Sequence, residues 1–349
     1  MTCQDCFVTL NGPRLCVGNR TIERAWDISE GAPCCVQLHD RKRNLQWIAP
    51  APLQDAFRRD DLPLRGRPTI RVTAVTDDFH GTSEPYFSVR VSLIFQTAQM
   101  LWEHRLWPGF PVIFSQLSWR KTSRRAPKAE PENFHDDGCR HLYPVDDRID
   151  FFGLRPFHIR YRSVSFTDQT DHHNNLVSAS DGLIYPKEHL RLKGNLLHLS
   201  SLTASAGLVA FKFGPSLNAH LNYAGFDFSV SGQTLAIAGS GITPKDLSIG
   251  RWTVSYASAV GVTDGANSSA ERLCHALMRK RWKPAPERDF SVLSNTWGDR
   301  MGASRLSQRM VSREIMTAAK LGLSHCQIDA GWHKGSFAAL FVESCRHKG

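Results

Sequence analysis

The sequence predicts a mainly β protein: a sandwich of packed antiparallel sheets that gives way, near the C-terminal end, to a β-α-β unit. Three observations predict it. Short β-branched or aromatic runs bounded by Gly, Asn, Asp and Pro recur over the first 260 residues or so. The apolar spacing then becomes helical at Leu273, Ala276 and Leu277. Beyond Pro284 and Pro286 a strand, a helix and a second strand follow in turn, the order of a parallel crossover.

Taken along the chain, Phe7–Leu10 alternates and Asn11-Gly12 supplies a tight turn. Leu15–Val17 and Thr21–Trp26 continue the meander. Further strands are expected at Thr69–Val75, Phe87–Gln96, Val112–Trp119, Phe157–Val164, Leu196–Leu202 and Gly207–Phe213, then at Phe226–Val230, Thr234–Ile237 and Gly250–Val260. Ser268-Ser269-Ala270-Glu271 reads as a capping box, in which a serine and a glutamate satisfy the first amides of a helix. That helix should stop before the two prolines. Phe290–Trp297 reads as a largely buried strand. A helix follows over Ser304–Leu321, with Leu306, Met310, Ile315 and Ala318 toward the core and Gly322 at its C-terminal cap. Leu323–Asp329 is the second strand. Three regions result: a sandwich at 1–265, a linking helix and Pro linker at 266–287, and the β-α-β portion at 288–349.

Bulk properties narrow the function. The 349 residues are 41% hydrophobic and 22% charged, enough apolar material for a core. No apolar run is long enough to span a membrane, and the first 30 residues show no secretory pattern. Nine cysteines, an odd number without regular spacing, argue for free thiols and a cytoplasmic setting. Cys3-x-x-Cys6 lacks the second spaced pair that a zinc site requires, so no metal is expected. The net charge is +10. Its densest run, Arg120–Lys128, is followed at once by acids and has no interleaved aromatics, which argues against nucleic acid as a partner. His172 and His173, adjacent in the Thr170–Asn175 segment, point to opposite faces in an extended chain and cannot easily share one ion. No phosphate-loop, dinucleotide or metalloprotease motif is present, and no cofactor is expected.

Chemistry is expected at the two strand ends near the C-terminal end. In a parallel α/β barrel the C-terminal ends of strands face the active site. One end offers Asn295, Thr296, Trp297 and Asp299; the other offers Asp329, Gly331 and Trp332. A carboxylate beside an aromatic ring suits a sugar: the acid accepts hydroxyl hydrogen bonds and the ring covers the apolar C–H face. The alternative is local, with Asp329 capping its turn and Trp332 plugging the opening. Cys326, three residues earlier on the same strand, is expected to be a buried, inert thiol.

"SVLSNTWGDR", a helix, and then "LGLSHCQIDAGW" resemble the opening of the catalytic barrel in α-galactosidases of glycoside hydrolase family 36. "VGNRTIERAW", "DQTDHHNNLV", "LKGNLLHL" and "GLVAFKFGPS" resemble segments of that family's N-terminal β-supersandwich. The resemblance runs from about residue 8 to about residue 335. It implies an antiparallel β-supersandwich followed by the first β-α-β portion of an incomplete (β/α)8 TIM barrel. It implies retaining hydrolysis of terminal α-galactosides, with Asp329, Trp332 and Trp297 as substrate-binding residues. The family's second acid before Gly-Trp is replaced by Ala330. The family's catalytic aspartates, one in a Lys-Trp-Asp stretch and one after a Gly-rich Arg-containing stretch, have no counterpart; Trp26-Asp27 lies in the sandwich. No catalytic residue is therefore assigned. The chain is expected to be truncated, inactive alone, a weak binder of α-galactoside sugars and a candidate homo-oligomer. The alternative expectation is a non-catalytic carbohydrate-binding or subunit-association module.

Overall fold

A computed structural model describes residues 1–29, 31–49, 55–59, 62, 64, 67–77, 84–122, 147–155, 158–166, 177–185, 188–214, 225–231, 234–243, 245–296 and 306–328. The chain divides into two compact units, Met1–Trp282 and Lys283–Gly349.

The first unit is built from two large sheets. Strands β1 (Thr2–Cys3), β2 (Cys6–Asn11), β3 (Arg14–Gly18), β4 (Ile22–Asp27), β5 (Cys34–Asp40) and β6 (Leu45–Gln46) form an antiparallel meander. The chain then crosses to the second sheet for β7 (Thr69–Asp77), β8 (Tyr86–Ile94), β9 (Ala98–Leu106) and β10 (Val112–Lys121). It returns with β11 (Arg148–Gly153), which lies parallel to β5 through the Phe152–Cys35 pair. From there it alternates. β12 (Ile159–Phe166) and β13 (Val177–Ile184) extend the second sheet, β14 (His189–Leu192) the first, and β15 (Leu196–Ser201) and β16 (Gly207–Phe213) the second again. β17 (Phe228–Ser231) and β18 (Thr234–Ala238) complete the first sheet, and β19 (Thr253–Val254) and β20 (Ala257–Thr263) the second.

The order of the first sheet is β1-β2-β3-β4-β5-β11-β18-β17-β14, with β6 on β5. That of the second is β13-β12-β15-β16-β20-β10-β9-β8-β7, with β19 on β10. The antiparallel sandwich read from the sequence is thus the fold observed. Its period-2 pattern is visible in β9, where Ala98, Met100, Trp102, His104 and Leu106 are buried and the residues between them are half-exposed. The main core lies between the sheets. It joins Val17, Trp26 and Leu38 of the first to Val91, Trp102 and Leu208 of the second.

A second cluster covers the outer face of β10, β16 and β20. There α1 (Asn267–Arg281) lays Ala270, Leu273 and Leu277 onto Val112, Phe114, Val209 and Phe211. Its apolar stripe is the one the sequence predicts, and it ends before Pro284. Its start differs. The helix begins at Asn267, its N-cap is Ala266, and no side chain caps that position. The capping box at Ser268 is therefore not formed, because both serines already lie inside the helix. Asp264 serves instead, accepting from the Ala266 amide at 3.0 Å. Hydrogen bonds from Ser269 and from that amide hold its carboxyl below the usual range. The first hairpin also differs by one residue: Asn11 pairs with Arg14, so the turn residues are Gly12 and Pro13, and Gly12 adopts φ +58°.

Turns tie the two sheets together. Asn19, fully buried, donates from Nδ2 to the carbonyls of Trp107 (3.0 Å) and Phe110 (2.8 Å). Its Oδ1 accepts from the Thr21 and Ile22 amides at 2.8 and 3.1 Å. Asn19→Ala is expected to cost about 2–3 kcal/mol, since buried backbone groups on both sides lose partners; a shift in the urea midpoint with an unchanged slope measures it.

The second unit holds α2 (Pro286–Asp289), β21 (Leu293–Asn295), α3 (Gln308–Lys320) and β22 (His325–Gln327). β21 and β22 are parallel, in register from Leu293–His325 to Asn295–Gln327, as expected for a strand-helix-strand crossover. α3 opens with Ser307 Oγ accepting from the Met310 amide at 3.2 Å. It closes with a Schellman pair, Gly322 N–H to Ala319 O and Leu323 N–H to Ala318 O, with Gly322 at φ +74°. Burial is less than the sequence predicts. The strand expected over Phe290–Trp297 starts only at Leu293: Phe290 caps α2 and is 75% exposed, Val292 is 65% and Leu293 46% exposed, so it is not the buried strand expected. Met310 and Ala318 are buried, Leu306 is half-buried and Ile315 is exposed. Among the described residues α3 packs on the two-stranded sheet, and apolar spacing cannot say which apolar side chains that contact will take.

Candidate functional site

The β21–β22 pair sets the candidate site. Parallel register puts Asn295 and Gln327 side by side at the C-terminal ends of their strands, and the Thr296 amide donates to Gln327 O at 3.2 Å. Thr296 is buried there. Two residues beyond each of these ends, the sequence continues into Trp297 and Asp329. Trp297, Asp299, Asp329, Ala330, Gly331 and Trp332 lie outside the described residues. The structure thus brings together the two strand ends that carry the predicted sugar ligands, through Asn295, Thr296 and Gln327. Cys326 is half-buried rather than buried. His172, His173 and most of the basic 120–128 run also lie outside the described residues.

Perturbed ionisable groups mark functional sites when they face a cleft. Among the described residues the strongest perturbations lie inside the sandwich. Arg24 is fully buried and forks onto Asp150 at 2.7 and 2.9 Å. Burial is the largest influence and opposes its charge, but Asp150 and Cys35 together outweigh it and raise the pKa. Lys212 Nζ reaches Asp227 Oδ1 at 2.8 Å in an equally enclosed place; burial lowers its pKa and Asp227 opposes the shift. Both pairs are buried, with Arg24 and Lys212 side chains each 1% exposed. The spacing of Leu208, Ala210 and Lys212 on one face of β16 is the sequence signal that could have placed Lys212 in the core.

The cysteines among the described residues are free thiols. Burial, with Asp5 nearby, pushes Cys6 up to about 12; burial and then Glu23 do the same for Cys16. Cys34 rises to about 11 through burial and then Asp55. Thiols held so far above neutral pH are poor nucleophiles. No group of three or more metal-ligating side chains occurs among the described residues.

His104 is fully buried beside Trp26 and Trp102, with Nδ1 2.9 Å from Ser115 Oγ. Burial, and then Arg24, hold its pKa well below the usual value. In the unfolded chain it takes up a proton below about pH 6.5. The unfolded state then binds more protons than the folded one, so stability is fully present above that pH and is lost as pH falls. The expected loss is about 1.4 kcal/mol per pH unit from this residue. His104→Asn should flatten that part of the urea midpoint between about pH 6.5 and pH 5.

No family model matches the chain, and no curated protein matches it in sequence. Solved structures do match in fold. The GH36 α-galactosidase AgaB of Geobacillus stearothermophilus aligns with a TM-score of 0.56 and 11% identity, over 93% of this chain and 50% of its own. The α-galactosidase of Lactobacillus brevis gives 0.56 and 10%, over 93% and 49%. The G. stearothermophilus AgaA variant A355E D478A in complex with stachyose gives 0.54 and 11%, over 94% and 50%. The chain therefore spans about half the length of the structures it matches, and its fold is similar to that of GH36 α-galactosidases over nearly all of its length.

Proposed function

We propose that this chain is the sandwich and barrel opening of a glycoside hydrolase family 36 α-galactosidase, and that it supplies part of a galactoside site. The observation that carries the reading is the parallel β21–β22 pair, whose adjacent C-terminal ends lead directly into Trp297 and Asp329. The shared fold supports it, as does the stachyose complex of one similar enzyme. In this reading Asp329 accepts hydroxyl hydrogen bonds from the sugar, and Trp332 and Trp297 cover its C–H faces. Ala330, where the family has a second acid, offers no acceptor, which weakens the grip by about 1–3 kcal/mol. The 288–349 region is the first β-α-β portion of a (β/α)8 barrel, and the protein works in the cytoplasm as a homo-oligomer.

Retaining hydrolysis takes two carboxyl groups about 5 Å apart, one as nucleophile and one as acid/base. The motifs that carry them in the family are not found in these 349 residues. The purified chain is therefore expected to release no chromophore from a chromogenic α-galactoside above a protein-free control; clear turnover would refute this assignment. Binding of α-galactosides should be weak and should depend on Asp329. Titration calorimetry of Asp329→Ala should show affinity lost by about tenfold or more, and an unchanged affinity would remove Asp329 from the site.

A further inference from the structure

Four strands end the two large sheets, and three of them are guarded. β1 has two residues and β14 four, with Arg191 among them. β7 carries Arg71, and its Ile70, Val72 and Ala74 pack against the main core. Short length and charge are common guards of an unpaired backbone edge. The fourth, β13, has neither. It runs for eight residues, "VSASDGLI", without Pro, Lys or Arg. Among the described residues its one strand partner is β12, in unbroken antiparallel register from Ile159–Ile184 to Phe166–Val177, and its other edge ends the sheet.

β13 is also open on both faces. Ser178, Ser180 and Gly182 share the core side with Ile184, while Val177, Ala179, Asp181 and Leu183 share the other. Ile184 is the one buried residue; Val177 is 53% and Leu183 44% exposed. The strand is nonetheless held firmly. The Tyr161 ring lies over Gly182, where a Cβ would stand 3.0 Å from it, a cover that stiffens an edge glycine. Arg160 donates to Asp181 Oδ1 at 2.9 Å, so the single charge on the strand is met from its own neighbour.

We propose that β13 joins two copies of this chain, antiparallel and edge to edge, in one sheet that continues across a two-fold axis. Opposed residues in such a pair lie on the same face, so the axis passes through a residue rather than between two. Through Asp181 it would set two like charges against each other, which is unfavourable. Through Ala179 it would leave Leu183 without an opposite number. Through Ser180 it sets Val177 against Leu183 of the second copy, twice, and Ser180 against itself. Val177 and Leu183 are evenly spaced about Ser180, a symmetry that a second copy uses and an unrelated strand does not require. The pairing adds about six to eight backbone hydrogen bonds, and an isologous contact stops at two copies. This inference rests on the homo-oligomer reading and gives it a surface; it uses none of the galactoside residues.

Sedimentation equilibrium of the full chain tests it, with a dimer expected at a Kd of about 10 μM or below. Ser180→Lys and Ser180→Asp change an exposed position and put like charges opposite one another at the axis. Each should weaken the dimer at least about tenfold, with an unchanged thermal unfolding midpoint. Mixed in equal amounts the two variants should dimerise again, because Lys then faces Asp. In the wild-type chain, amide exchange along β13 should slow as concentration rises through the Kd, while exchange along β7 should not change. A wild-type chain still monomeric at about 100 μM would overturn both this proposal and the homo-oligomer reading. A dimer with wild-type affinity in both variants, or with β13 exchange independent of concentration, would overturn the proposal and leave that reading standing. Monomeric variants that do not recover on mixing would overturn the two-fold pairing at Ser180.

Discussion

Arg24→Met is expected to destabilise the sandwich by about 3–5 kcal/mol, read as a fall in the urea midpoint at constant slope. Arg24 stands on the core face of β4 and spans β5 to reach Asp150 on β11, with the Cys35 thiol 3.3 Å from Nη2. Its guanidinium lies 4.8 Å from the Trp26 ring and 5.1 Å from that of Phe152. Methionine fills much of the space but leaves the Asp150 carboxylate in an apolar interior without its countercharge. Removing one partner of such a pair costs more than the pair itself is worth. The sharper result concerns the double variant. Arg24→Met with Asp150→Leu should recover most of the loss, because no buried charge then remains. A double variant as unstable as the single would mean that packing on Trp26 and Phe152, and not the ion pair, holds this junction.

Lys212→Met should cost about 3–5 kcal/mol by the same logic at a different seam. Here the two charges come from opposite sheets: Lys212 from β16, and Asp227 from the residue leading into β17. Asp227 also accepts the Gly194 amide at 2.8 Å through its other oxygen. Gly194 adopts φ +145°, and a Cβ there would lie 2.5 Å from Val164 O. That turn accepts no side chain, and losing the Lys212–Asp227 contact loosens the position of the oxygen that holds it. Amide hydrogen exchange should therefore quicken at Gly194 and Asn195 in Lys212→Met more than at β2–β4. Uniform loss of protection would show that the seam has no local role.

The strands that were legible in the sequence share one property. Phe7–Leu10 and Gly207–Phe213 put β-branched or aromatic residues on at least one face, so composition and period agree. β9 alternates as cleanly, yet its outward residues are Gln99, Leu101, Glu103 and Arg105 and its inward ones include Met100 and His104. These types favour helices or are neutral, and the strand is not expected from them. β11 is hidden for another reason: Arg148 and Asp150 are charged and buried, and Asp150 is explained only by Arg24 on a strand far off in sequence. In the second unit the order of elements and the Gly322 cap are legible because both are local. The depth of burial was not, since it depends on what covers each face. The proposed sugar ligands rest on strand ends followed by Trp297 and by Asp-Ala-Gly-Trp, and on the resemblance these segments carry. The rung of Arg90, Glu103 and Gln116 on the sandwich was not legible, because those residues come side by side only through strand pairing.

The Phe152–Cys35 pairing, where β11 lies parallel to β5, has a bearing on biosynthesis. The opening meander leaves the ribosome early, yet the strand that continues its sheet is translated only after the whole of β7–β10. Until then the Cys35 stretch of β5 lacks its β11 neighbour, between β6 at His39–Asp40 and the Cys34–Asp55 bridge. Such delayed, long-range closure makes a nascent chain slow to mature and prone to mispair, so yield in cells should respond to chaperone supply and to growth temperature.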